Sequence, residues 1–168
     1  LTKDGILVAR HENEISETTD IADKAEFADR KTTKTIDGQK MTGWFTEDFT
    51  LAELKTLRAK ERLPQLRSAN MAYDGQFEIP TFDEILTLAK EASKATGRTI
   101  GVYPETKHPS YFASIGLPHE GPLLAALTKY GHVAKSAPVF IQSFEVENLK
   151  ALRPKTKLRL IQLMDEKG

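Results

Sequence analysis

Gly101-Val102-Tyr103-Pro104-Glu105-Thr106-Lys107-His108-Pro109 joins an apolar run to a cluster of polar, titratable side chains. Arg98 to Tyr103 reads as a short buried strand, and the chain then delivers a carboxylate, an ammonium and an imidazole in quick succession. The rings of Pro104 and Pro109 stiffen the backbone on either side. In folds that alternate strands and helices, the carboxyl end of a strand is where chemistry is placed. Glu105 and Lys107 are two positions apart, so on an extended backbone they point to one side. A carboxylate beside a cation at a strand mouth suits a metal ion and an anionic, phosphate-like substrate. The alternative is a solvated strand end with an ordinary ion pair.

The wider chain supports a strand–helix alternation. Downstream of Pro80, Thr81-Phe82-Asp83-Glu84 is a capping box that opens a helix. Phe82, Ile85, Leu86, Ala89 and Ala92 mark its buried face, and Gly97 marks its stop. A second helix is expected from Glu120 to Tyr130, ended by Gly131. Val139 to Phe144 reads as a strand, Glu145 to Leu152 as a helix closed by Pro154, and Leu158 to Leu163 as another strand. Such alternation indicates βα units and a parallel sheet.

Upstream, Lys3-Asp4-Gly5 is turn chemistry. Ile6 to Ala9 fits a fully buried strand. It leads into Arg10-His11-Glu12, so a second strand end also presents titratable groups. Residues 16–80 break the rhythm. They are polar and rich in Thr and Lys, apart from a capping box, Thr50-Leu51-Ala52-Glu53, that begins a helix with Leu51, Leu54 and Leu57 on one face. This region reads as an excursion from the main fold, either a long loop or an inserted subdomain. Trp44, Phe45, Phe49, Tyr73 and Phe77 are its expected packing anchors.

Composition narrows the function classes. The 168 residues suffice for one domain with a real core. Lys plus Arg and Asp plus Glu are each 24, a formal net charge of zero, which argues against a nucleic-acid-binding domain. No apolar run approaches a membrane span. The absence of cysteine removes thiolate nucleophiles and Cys-based zinc sites. No oligomeric state is signalled. The strand count falls short of an eight-stranded barrel, which typically needs roughly 250 residues. The chain therefore reads as a piece of a larger barrel with an upstream segment to be expected before Leu1.

In this order, several motifs form a specific signal: Thr2-Lys3-Asp4-Gly5, Leu7-Val8-Ala9-Arg10-His11-Glu12, Phe49-Thr50-Leu51-Ala52-Glu53-Leu54, Ile79-Pro80-Thr81-Phe82-Asp83-Glu84, Ile100 to Lys107 and Val139 to Phe144. Together they resemble the glycerophosphodiester phosphodiesterases, particularly the bacterial periplasmic, calcium-dependent type. The resemblance implies an α/β fold, here a partial TIM (β/α)8 barrel spanning residues 1–168, with 16–80 as the insertion after an early strand. It implies hydrolysis of a glycerophosphodiester to glycerol 3-phosphate and an alcohol, within glycerol and lipid metabolism. The glycerol hydroxyl would attack phosphorus first, and water would then open a cyclic phosphate.

Residue by residue, His11 matches the second of two catalytic histidines, with Glu12 standing where the family has Asp. Glu105 matches the metal-ligating Glu, and Lys107 the catalytic and substrate-binding Lys beside it. Gln142 and Phe144, at another strand mouth, are candidates for the substrate pocket. The implied metal is Ca2+, with Mg2+ as the alternative. The implied setting is periplasmic or secreted. The family's first histidine, in a His-Arg-Gly motif, and its Glu-x-Asp ligands have no counterpart in this sequence; in the family they lie upstream of the position of Leu1. The 168 residues alone are thus expected to be inactive. Two other readings remain: an inactive barrel module or truncated product with a binding or interaction role, and another phosphodiesterase or lipase on the same barrel. His108, His119 and His132 rank below His11 as catalytic candidates.

Overall fold

A computed structural model describes residues 1–165. Residues 166–168, which the sequence reading set after the last strand, lie outside the described residues. The chain divides into two compact units, Leu1–Pro80 and the part beginning at Thr81.

In the first unit, the turn at Lys3 and Asp4 forms as expected. Gly5 takes φ 78° and its amide donates to the Thr2 carbonyl. Ile6 to Ala9 does not form the expected fully buried strand. Ile6 is exposed, and only Val8 packs on the core. The backbone link there is Ala9 N–H to the Pro80 carbonyl, 2.8 Å. Proline has no N–H with which to extend that pairing into a ladder.

The excursion is a folded body with its own core. Ile21, Trp44, Phe49, Leu54, Leu57 and Ile79 are buried together. A hairpin of β1 (Thr32–Ile36) and β2 (Gln39–Gly43) pairs antiparallel, with Ile36 opposite Gln39. Its loop is Asp37-Gly38, both at positive φ (48° and 78°), the backbone of a tight primed hairpin turn. The sequence reading missed it. The four-residue helix α1 (Leu51–Leu54) begins at the expected capping box: Thr50 Oγ1 accepts from Glu53 N–H and the Glu53 carboxylate accepts from Thr50 N–H.

Trp44, Phe45 and Phe49 are buried as expected, whereas Tyr73 and Phe77 are 58% and 57% exposed. They belong to a surface stretch around the 3-10 helix Ser68–Tyr73, which buries no residue. They stack on each other at 6.1 Å instead of on the core.

The second unit is α/β. Helix α2 (Phe82–Thr96) starts at the Thr81–Glu84 capping box and stops at Gly97 in the left-handed region. Helix α3 (Pro109–Ser114), not expected from the sequence, uses Pro109 as a first-turn residue, where a missing N–H costs nothing. Helix α4 (Glu120–Lys129) buries Leu123 and Leu127. Strand β3 (Phe140–Ser143), helix α5 (Val146–Leu152) and strand β4 (Arg159–Gln162) follow. Strands β3 and β4 are parallel, with Phe140 opposite Arg159.

Residues 102–106 lie along the other edge of β3 in parallel. Val102 N–H bonds the Pro138 carbonyl, Phe140 N–H the Val102 carbonyl, Gln142 N–H the Pro104 carbonyl and Thr106 N–H the Gln142 carbonyl. The ladder is reduced to isolated bridges at Val102–Val139 and Glu105–Gln142 because Pro104, between them, cannot donate. The expected strand from Arg98 is therefore shifted towards residue 106. It is not fully buried either, since Ile100 and Tyr103 are exposed. Gly101 sits where a Cβ would come within 2.6 Å of the Pro138 carbonyl oxygen, so glycine permits the two chains to meet. Among the described residues no helix is long and apolar enough to cross a membrane.

Candidate functional site

The mouth of the parallel strands gathers Glu105, Lys107, Gln142 and Phe144. Glu105 is bridged to Gln142 through the backbone. Its Oε1 is buried and has no hydrogen-bond partner among the described residues. A buried carboxylate oxygen left unpaired is costly, so this one points to a group that would satisfy it. The Lys107 Nζ stands 5.7 Å from the centre of the half-exposed Phe144 ring, a cation–π distance. The Gln142 side chain is committed to the backbone: its Nε2 donates to the Tyr103 carbonyl at 3.1 Å. Glu105 and Lys107 thus carry the charged groups of the mouth, with the Phe144 ring beside the ammonium. Gln142 shapes the mouth more than it offers a free donor.

The residue after Lys107 carries strain. His108 has φ 51° and ψ 47°, left-handed values uncommon for a non-glycine residue, and it caps α3. His119 precedes α4 and is only 5% exposed, packed against the Phe112 ring at 4.7 Å between centroids. Burial pushes its imidazole down to about 3, with the nearby His108 adding to the effect, so it is neutral at any ordinary pH. The sequence places His119 below His11 as a catalytic candidate and does not by itself reveal its burial. The signal available was its position between Pro118 and the apolar run of α4.

In the first unit, His11 is 79% exposed and its Nδ1 lies 3.0 Å from Glu12 Oε1. The longer Glu12 side chain therefore still reaches the imidazole. His11 borders a cavity of about 510 Å³ whose charged lining is mixed, with Arg10, Lys60, Arg62 and Arg67 set against Glu12, Glu14, Glu17 and Glu61. Arg10 bonds Thr18 Oγ1 through one guanidinium nitrogen, while its buried Nε has no partner among the described residues. Burial lowers the pKa of Arg10 from its usual value, and the nearby Glu14 offsets part of that effect. Arg10, Lys60, Arg62 and Arg67 were not singled out from the sequence. A basic residue at three positions of an irregular segment carries no periodic signal.

A model of the glycerophosphoryl diester phosphodiesterase family matches residues 1–167. The chain belongs to that family. It is 39% identical over 177 aligned positions to a glycerophosphodiester phosphodiesterase of Arabidopsis thaliana, covering 98% of this chain and 46% of the relative. It is 29% identical to a glycerophosphodiester phosphodiesterase of Haemophilus influenzae, covering 98% of this chain and again 46% of the relative. The chain thus spans about half the length of the curated relatives it matches.

Among solved structures, a putative glycerophosphoryl diester phosphodiesterase from Silicibacter pomeroyi superposes with a TM-score of 0.65 at 17% identity. It covers 98% of this chain and 52% of that one. An Oleispira antarctica phosphodiesterase, solved in complex with the product sn-glycerol-3-phosphate, superposes at 0.55 and 20% identity, covering 96% and 49%. These likenesses place the phosphodiesterase fold on the chain. The family match meets the sequence expectation, which rested on the motifs from Thr2 to Phe144.

A calcium ion, which the family resemblance implies, can be tested against the side chains present. Glu105 fits a ligand, since Oε1 is a carboxylate oxygen with no hydrogen-bond partner among the described residues. A hard cation of this kind takes about 6–8 oxygen donors. No group of three or more His, Cys, Asp or Glu side chains suited to a metal occurs among the described residues. Glu105 alone therefore cannot complete a calcium site.

Proposed function

We propose that this chain is the part of a glycerophosphodiester phosphodiesterase that carries one catalytic histidine, one metal ligand and the phosphate-facing lysine. The complete protein would hydrolyse glycerophosphodiesters to glycerol 3-phosphate and an alcohol, a product class that matches the one bound by the Oleispira antarctica relative. The observation that carries this reading is the family match over residues 1–167 together with the His11–Glu12 pair at the edge of a cavity of mixed charge. On this reading the described residues are part of a (β/α)8 barrel. They form one partial domain across 1–168, with 16–80 as its insertion, in a protein of the periplasm or outside the cell.

Each residue has a role that its surroundings support. His11 moves a proton at Nε2, because Nδ1 faces the Glu12 carboxylate, which fixes the ring and its tautomer. Lys107 offsets negative charge on the phosphoryl oxygens, and the Phe144 ring beside its Nζ limits where the ammonium can go. Glu105 holds the divalent cation through Oε1 together with donors from elsewhere in the protein. When bound, that cation supplies Lewis-acid polarisation of the phosphoryl oxygens. Gln142 keeps the mouth in shape through its bond to Tyr103 and so forms part of the substrate wall. With a single metal donor of this kind at the mouth among the described residues, the 168 residues alone are expected to be inactive.

The test is release of glycerol 3-phosphate from glycerophosphodiesters by the full-length protein, with and without calcium. Activity that requires calcium and falls at least about 10²-fold in His11→Ala supports the reading. A full-length protein with no activity on any diester, but with a stable fold, would instead support an inactive module with a binding role.

A further inference from the structure

Thr106 lies between the two residues to which the strand mouth owes its chemistry, and it is turned away from both. Its backbone N–H bonds the Gln142 carbonyl at 2.9 Å, and its hydroxyl donates to Asn148 Oδ1 at 2.7 Å. Successive side chains on an extended backbone alternate in direction, so holding Thr106 inward directs Glu105 and Lys107 outward together.

Asn148 sits on α5 and is 5% exposed. Its Nδ2 donates to Glu120 Oε1 at 2.6 Å, and Glu120 is the first residue of α4. One side-chain amide therefore ties three pieces of chain: the 105–107 mouth, α5 and the start of α4. The position needs an acceptor towards Thr106 and a donor towards Glu120. The Asn amide offers both on one planar group, and the longer Gln would overfill the site. Aspartate would set a second carboxylate against Glu120, and leucine would orphan both partners.

This tie matters because Glu105 Oε1 has no hydrogen bond among the described residues to fix it. The carboxylate is placed by the backbone on either side, through the bridge to Gln142 and the anchor at Thr106. We infer that Asn148 is a positioning residue: through Thr106 it sets the direction in which Glu105 and Lys107 leave the strand end. The inference rests on the functional reading above. Its physical warrant is that misplacing a reacting or liganding group by about 1 Å can cost on the order of 10²-fold in rate.

The test uses the full-length protein. Thr106→Val keeps the side-chain volume and replaces the hydroxyl by a methyl, which leaves Asn148 Oδ1 without its donor, while Thr106→Ser keeps the hydroxyl. Asn148→Asp is the second probe. Thr106→Val and Asn148→Asp are expected to lower kcat by about 10-fold or more, with KM changing less. They are also expected to weaken calcium binding in calorimetry by about 10-fold, the lower end of the effect of losing support to a ligand. Thr106→Ser should stay within about 2-fold of wild type on both measures, an expected scale for a retained hydrogen bond. Variants that melt at lower temperature but keep wild-type kcat and calcium affinity well below the transition would overturn the inference, because a purely structural tie predicts that pattern. If wild type hydrolyses no diester, the functional reading fails and calorimetry alone decides the positioning. Absence of calcium binding by wild type overturns the inference, while the functional reading stands or falls on diester hydrolysis.

Discussion

His11 Nδ1 and Glu12 Oε1 meet at 3.0 Å although the two residues are neighbours in sequence. On a strand, adjacent side chains point to opposite faces. Here the chain bends at His11 instead of extending, and the bend brings the carboxylate round to the ring. The extra methylene of Glu12 relative to the family's Asp supplies the reach. A carboxylate on one ring nitrogen leaves the other, Nε2, for proton transfer.

Changing that carboxylate to an amide should therefore disturb the histidine without removing it. Glu12→Gln can donate to Nδ1 as readily as accept from it, so the ring loses its tautomeric preference. The expected loss in kcat for the full-length protein is about 10-fold or more, a part of what acid–base catalysis contributes. Glu12→Asp, which restores the residue typical of the family, should keep most of the activity. Steady-state kinetics on a glycerophosphodiester would show it. Equal rates for wild type and Glu12→Gln would end the orienting role.

Glu105→Gln replaces an anionic oxygen donor with a neutral amide of the same shape. Calcium affinity is expected to fall at least about 10-fold, a conservative scale given that lost supporting contacts alone cost about 10–100-fold. Calorimetric titration of the full-length protein measures it directly. Unchanged affinity would move Glu105 out of the metal site.

Much of the architecture was legible because it is written in local chemistry. Both capping boxes, at Thr50 and Thr81, are satisfied in both directions, and Gly97 stops its helix in the left-handed region. These features depend on four or five adjacent residues. Misreadings arose where a distant partner decides. Residues 6–9 and 98–103 are apolar enough for buried strands, yet Pro80 and Pro104 remove donors and reduce their ladders to single bonds and bridges. Tyr73 and Phe77 are aromatic, but nothing in their own sequence says that they face each other at the surface.

The hairpin was a different failure. Asp37-Gly38 between Thr-rich segments is a strong local signal that was overridden by the polar composition of the region. At the site, residue types and spacing pointed to Glu105, Lys107 and His11. The Thr106–Asn148–Glu120 link joins residues up to 42 positions apart and has no pattern in sequence.

The hairpin turn can be tested without touching the site. At Gly38 (φ 78°) an added Cβ would meet nothing within 4 Å, so its cost is purely conformational. Gly38→Ala should lower stability by about 1–2 kcal/mol, the penalty for an L-residue in the left-handed region. Asp37→Gly relieves the same kind of penalty at φ 48° and should be neutral or mildly stabilising. Thermal denaturation of the two variants in parallel checks both signs. A Gly38→Ala protein as stable as wild type would rule out the turn geometry.

His119 makes stability depend on pH. Its pKa is pushed from 6.5 to about 3 by burial, so the folded form resists protonation while the unfolded chain accepts a proton below about 6.5. Above that pH both forms are neutral and the group contributes nothing. As pH falls from 6.5 towards 3, the unfolded state is increasingly favoured, by at most about 1.4 kcal/mol per pH unit from this one group. His119→Leu removes the ionisation and keeps an apolar contact for Phe112. Its melting temperature should drop less than that of wild type between pH 7 and pH 5. Parallel pH profiles for the two proteins would assign the acid sensitivity elsewhere.

The proposed function expects His11 to act in proton transfer and not as a metal ligand. The ring is largely exposed beside a cavity, with one nitrogen on Glu12 and the other available to a substrate. Calcium prefers oxygen donors, which makes an imidazole a poor ligand for it. In the full-length enzyme His11→Ala should lower kcat by about 10²-fold or more, the scale of losing a general acid–base group, while calcium affinity stays within error of wild type. A histidine that merely decorates the surface predicts almost no loss. Leaving-group chemistry separates acid from base. A diester that releases nitrophenolate needs little protonation at the departing oxygen, so it should recover most of the lost rate if His11 supplies that proton. If the loss is the same for the nitrophenyl diester and for a glycerophosphodiester with an alkyl alcohol, His11 is not the acid. If calcium binding falls with the rate, the residue belongs to the metal site instead.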